Sequence, residues 1–241
     1  MIREKIFPTQ GEHDSRGFRV RGHEIQRIET FSDAVFAFAV TLLIVSLEVP
    51  RSFDELLVSM RGFFAFAICF TLLMLVWYEQ HTFFRRYALD DTRTMVLNSM
   101  LIFIVLFYVY PLKFVFSLLF GEIFYGPGKS PFSIRDSQVS ELFVIYGLGY
   151  FVIYLIFFFM YRHALRSRGR LQLSPLEVFD TRTKLYAQLA MVVIGACAVI
   201  LALTLPPKFA WVWGWWYFMI PPTIWMVHGR RGAIRKRIKA L

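Results

Sequence analysis

Arg27-Ile28-Glu29-Thr30-Phe31-Ser32-Asp33-Ala34-Val35-Phe36-Ala37-Phe38-Ala39-Val40-Thr41-Leu42-Leu43-Ile44-Val45-Ser46-Leu47 is the stretch that decides the fold. It opens with an arginine, a serine and an aspartate and then turns apolar. Thr41 is its one mid-helix hydroxyl. A span of about 20 residues at about 1.5 Å rise covers about 30 Å, one hydrocarbon thickness. Ionisable side chains at membrane depth are expensive, and they face protein or a water-filled path rather than lipid. The stretch therefore predicts a transmembrane helix over Thr30–Val49, closed by Pro50, with a polar inner end that needs partners.

Composition agrees. Of the 241 residues, 57% are hydrophobic and 18% aromatic, with 27 phenylalanines and a mean hydropathy of +0.51. A soluble domain stands nearer about 45–50% apolar. Working outward, apolar runs predict five more spans at Leu56–Tyr78, Met95–Phe116, Leu142–Tyr161, Leu185–Leu205 and Phe209–His228. Trp77-Tyr78 reads as an interfacial exit, Pro111 as a kink or early end, and Pro221-Pro222 as a break in the last span. The predicted class is all-α, a polytopic protein with six transmembrane helices. The chain divides into an N-terminal tail (1–26), a membrane domain (27–228) and a basic C-terminal tail (229–241). Residues 1–26 show no periodicity and read as flexible, and they contain no apolar signal-peptide core.

The net charge of +10 is a topology signal. With both termini cytoplasmic, 21 of the 27 Lys and Arg fall on the inner side, which is the positive-inside bias and requires an even number of spans. Anionic lipid headgroups are the expected neighbours of this charge, and nucleic acid is not. Cys69 and Cys197 lie in apolar runs without CxxC partners and read as core residues.

Enzyme signatures are missing: HExxH, GxSxG, Walker A and GxGxxG do not occur. Glu79 and His81, two apart, point to different helix faces and make poor metal ligands, so neither a catalytic residue nor a metal or other cofactor is expected. The potassium-channel loop Thr-Val-Gly-Tyr-Gly is also absent. Tyr146-Gly147-Leu148-Gly149-Tyr150 lies within the fourth apolar run, where its glycines read as close helix packing.

Within the first span, Phe38, Leu42 and Val45 fall at i, i+4 and i+7, with Thr41 beside them. By the predicted topology His81 and Asn98 lie at the same depth as Asp33. A hydrogen-bonded cluster of Arg27, Ser32, Asp33, His81 and Asn98 would satisfy groups otherwise costly to bury.

At these residues the sequence resembles the bacterial branch of the TMEM175 family of potassium-permeable channels. The resemblance rests on Arg27-x-x-x-Phe31-Ser32-Asp33, Ala34-Val35-Phe36-Ala37, Thr41-Leu42-Leu43, Leu47-Glu48-Val49-Pro50, Trp77, His81 and Asn98. It implies a homotetramer in the plasma membrane, with four first helices around a central pore that passes K⁺. It implies a constriction of apolar side chains at Phe38, Leu42 and Val45, a selectivity hydroxyl at Thr41, and a structural role for Phe31-Ser32-Asp33. The family usually places isoleucine or leucine where this chain has Phe38. Four phenyl rings on one axis either occlude the path or offer ring faces to a cation. Two other readings stay open: a proton or monovalent-cation leak along the same axis, and a non-conducting scaffold or transporter.

Overall fold

The computed structural model describes residues 13–14, 17–22, 26–45, 51–126, 134–206 and 210–239. The described residues form seven α-helices in order: α1 (Arg27–Val45), α2 (Phe53–Tyr87), α3 (Thr92–Tyr125), α4 (Asp136–Arg166), α5 (Pro175–Thr204), α6 (Ala210–Trp216) and α7 (Ile220–Lys239). A 3₁₀ turn, Tyr217–Met219, joins the last two. Among the described residues there is no strand, only an isolated bridge between His13 and Arg19. Among the described residues four helices, α2 to α5, are long and apolar enough to cross a membrane. Residues 46–50, the predicted end of the first span, and residues 127–133, between α3 and α4, lie outside the described residues.

Several predicted boundaries move. The second helix extends past Trp77-Tyr78 and runs on to Tyr87. Its 35 residues span about 50 Å, more than one hydrocarbon thickness. Pro111 neither ends nor shortens α3, which continues to Tyr125; neighbouring helices let a transmembrane helix absorb a proline. Pro221 and Pro222 do break the last span. They fall in the first turn of α7, where the missing N–H groups would have had no partner. α7 then continues through the basic stretch to Lys239.

α1 packs against α2 and α3, α3 against α4, α4 most extensively against α5, and α5 against α7. The core at the junction of α1 to α4 gathers Phe36, Leu43, Cys69, Phe83, Leu101, Val105, Phe157 and Tyr161. Glycines set the closest approaches, as the sequence predicts. A Cβ on Gly149 would overlap the ring of Tyr108, whose hydroxyl donates to the Tyr146 carbonyl at 2.7 Å.

The N-terminal segment is docked rather than loose over its described part. Phe18 is 1% exposed and meets Tyr87 edge-on at 5.5 Å, with the Arg86 guanidinium 4.9 Å from its ring centroid. The Arg21 guanidinium forms a two-pronged pair with Glu177 at 2.8 and 3.0 Å, and the backbone N–H groups of Arg21 and Gly22 donate to the Arg85 carbonyl. One buried aromatic and one fork-shaped ion pair are enough to fix a segment that has no periodicity of its own.

Candidate functional site

The first helix has two faces. Glu29, Ser32, Phe36, Ala39 and Leu43 are buried against α2 and α3, at the i, i+3, i+4, i+7 spacing of one helical side. Phe31, Ala34, Phe38, Thr41 and Ile44 repeat with the same period on the opposite side and are exposed in the protomer. Phe31 is 60% and Phe38 55% exposed. Leu42 stands at the edge of this stripe, half-buried and packed on the core. The side chain of Val45 lies outside the described set. The Thr41 hydroxyl donates to the Phe38 carbonyl at 2.6 Å, which uses its proton and leaves the oxygen lone pairs to the open side.

Polar contacts at the inner end orient α1. Asn98 of α3, fully buried, donates to Ser32 Oγ at 2.7 Å and accepts from Gln80 Nε2 of α2 at 3.0 Å. Ser32 in turn donates to the Ile28 carbonyl at 2.7 Å. Asp33 accepts from the Trp77 indole N–H at 2.7 Å. His81 stacks on Trp77, with centroids 5.3 Å apart, and its Nδ1 lies 3.3 Å from Glu29 Oε1. At the other end, Lys113 of α3 donates to the Leu43 carbonyl at 2.7 Å, satisfying a last-turn group of α1. The helix is thus fastened at both ends to α2 and α3, and its rotation about its own axis is fixed.

Of the predicted cluster, Ser32 and Asn98 touch directly, while Asp33 and His81 meet through Trp77 rather than each other. Arg27 and Phe31 are exposed on the other face and stand apart from it. Glu29 and Gln80 escaped the sequence reading. Their signal was positional: Glu29 sits three residues before Ser32 and Gln80 three after Trp77, each on the same helical face as a residue already singled out.

Glu79 and His81 diverge, as their spacing predicts. Glu79 turns to α4 and α5, where it accepts from Tyr161 at 2.7 Å and Gln188 at 2.9 Å and pairs with Lys184 at 2.7 Å. Such a buried pair is tolerated because both carboxylate oxygens have donors, three on Oε1 and one on Oε2. Among the described residues no group of three or more His, Cys, Asp or Glu is placed to hold a metal.

Comparison with known proteins meets this geometry at the same residues. A family model described as endosomal/lysosomal potassium channel TMEM175 matches residues 27–108, which hold α1, α2 and the first half of α3. A protein of Marivirga tractuosa called a potassium channel is 40% identical over 229 residues, covering 91% of this chain and 92% of its own length. A potassium channel of Chamaesiphon minutus is 32% identical over 96 residues, 36% of this chain and 47% of that protein. A crystal structure of a variant of the potassium channel MtTMEM175, in complex with a nanobody–MBP fusion protein, superposes with a TM-score of 0.80 at 37% identity, covering 92% of this chain and 99% of that one. A relative matched over nine tenths of both chains and a solved structure of the same fold show that the chain is a multi-pass membrane protein and belongs to the TMEM175 family of ion channels.

Proposed function

We propose that the protein is a potassium-permeable, weakly selective cation channel of the plasma membrane. In this reading it is a homotetramer of six-span protomers with both termini cytoplasmic. Four copies of α1 line the pore. Phe38, Leu42 and Val45 form the hydrophobic constriction, with Thr41 as the hydroxyl layer and K⁺ as the permeant ion. Arg27, Phe31, Ser32, Asp33, His81 and Asn98 serve structure and the mouth of the pore, not selection.

The observation that carries the reading is the open stripe of α1. Phe31, Ala34, Phe38, Thr41 and Ile44 are exposed among the described residues of the protomer, yet the helix bearing them is fastened at both ends. A helix held that firmly with one uncovered side suits a symmetric axis, where each copy covers the others. Thr41 supports a cation path, since its hydroxyl proton is occupied and only acceptor lone pairs remain. Hydrophobic constrictions gate by dewetting, so the large Phe38 ring is the expected barrier.

The test is K⁺ flux from liposomes, with valinomycin setting the full signal, alongside the mass of the purified protein. The wild type should dissipate a K⁺ gradient as a tetramer, and Phe38→Ala should raise flux or loosen selectivity. A monomer or dimer, or flux at the level of empty vesicles for both proteins, would overturn the reading.

A further inference from the structure

Where the N-terminal end of α3 meets the C-terminal end of α4, two adjoining cavities of about 400 and 350 Å³ open to the surface. Their rim carries Arg93, Arg162, Arg166 and Arg170 against one carboxylate, Asp91. Asp91 is already engaged. It caps α3 by accepting from the Thr94 N–H at 3.0 Å, and it pairs with His163 at 2.6 Å and Arg170 at 3.1 Å. Among the described residues no carboxylate pairs with Arg93, Arg162 or Arg166. Three guanidinium groups thus converge on one opening where, among the described residues, Asp91 is engaged elsewhere and no other carboxylate pairs with them.

The rest of the wall is apolar. Val96 and Leu97 lie one turn from Arg93 on α3, and Phe159 lies one turn from Arg162 on α4. Val96 is followed at helical spacing by Met100, Phe103 and Phe107, all exposed, so the apolar surface continues into the membrane-spanning part of α3. A basic mouth over an apolar furrow matches an amphiphile with an anionic head, and basic recesses between transmembrane helices suit lipid head groups.

We propose that this α3–α4 recess is a binding site for an anionic phospholipid. Its phosphodiester is held by Arg93, Arg162 and Arg166, and an acyl chain lies along Val96, Leu97 and Phe159. Placement in the inner leaflet rests on the orientation argued above; the chemistry does not. A free phosphate shares the arginines but makes no use of the furrow, and a zwitterionic headgroup brings its own cation toward them.

Native mass spectrometry of the detergent-solubilised protein tests the site without reference to conduction. Phosphatidylglycerol should bind in preference to phosphatidylcholine, and millimolar inorganic phosphate should fail to displace it. Arg162→Ala/Arg166→Ala, both at exposed positions, should weaken phosphatidylglycerol binding by about tenfold or more, given about 1 kcal/mol for each cation near an anionic headgroup. Phe159→Ala should weaken it while leaving the arginines in place. Equal binding of the two lipids, displacement by phosphate, or a double variant that binds as the wild type does would overturn the proposal. If Phe159→Cys forms a disulfide-linked dimer, the recess is a seam between protomers and the proposal also fails.

Discussion

Replacing Asn98 by leucine removes the side chain that joins α1, α2 and α3 at one buried point. Asn98 makes two hydrogen bonds, to Ser32 Oγ and from Gln80 Nε2. The two partners suffer unequally. Ser32 keeps its own bond to the Ile28 carbonyl, whereas the Gln80 amide N–H loses its acceptor in a site of 0% exposure. A stranded buried donor costs about 1–3 kcal/mol and a lost net hydrogen bond about 1 kcal/mol. Bonds between transmembrane helices average about 0.6 kcal/mol, which pulls the sum downward, to about 2–3 kcal/mol. At about 2–4 °C per kcal/mol for a chain of this size, the midpoint should fall by roughly 4–12 °C. The assay is thermal unfolding in detergent by tryptophan fluorescence, run as a double-mutant cycle with Gln80→Leu. The double variant should be more stable than the sum of the single losses by about 1–2 kcal/mol, because the stranded amide is then gone. An Asn98→Leu protein as stable as the wild type, or strictly additive losses, would refute the clasp.

Phe18→Ala should release the N-terminal segment and lower stability by about 3–5 kcal/mol, the usual loss for a fully buried phenylalanine; limited proteolysis at the N-terminus checks it, and unchanged protection would contradict the docked position. Hydrogen bonds from the Thr94 hydroxyl and backbone and from His163 outweigh burial and hold the Asp91 carboxyl well below the usual carboxylate range. A depressed carboxylate contributes stability above its unfolded value, about 3.9, and loses it as pH falls toward the folded value. The gap in melting temperature between wild type and Asp91→Asn should therefore stay level from neutral pH to about 5 and close only below about 4; a gap that closes between pH 7 and 5 would show that Asp91 is not the group responsible.

The sequence by itself determined the all-helical, membrane-spanning class and the polar start of α1. Those properties are local: hydropathy over a bilayer's width, a basic bias in the connections, and a serine and aspartate placed where a membrane helix begins. It also placed Ser32, Asp33, His81 and Asn98 at one depth, because depth follows from counting residues along a span. What it left open was rotation. Only packing decides that Asp33 reaches Trp77 while His81 turns to Glu29, that Gln80 completes the Asn98 bridge, and that Arg27 and Phe31 stand on the far face. Helix lengths misled for the same reason. Pro111 reads as a kink or an early end, yet α3 runs through it to Tyr125, and the Trp77 indole has a partner, Asp33, that spacing alone does not name. Leu42 shows the limit most plainly. Its spacing aligns it with Phe38 and Val45, yet the core draws it to the edge of the open stripe, since at about 100° per residue a position four along lies turned from the first, and only the contacts of α2 and α3 fix where the stripe ends.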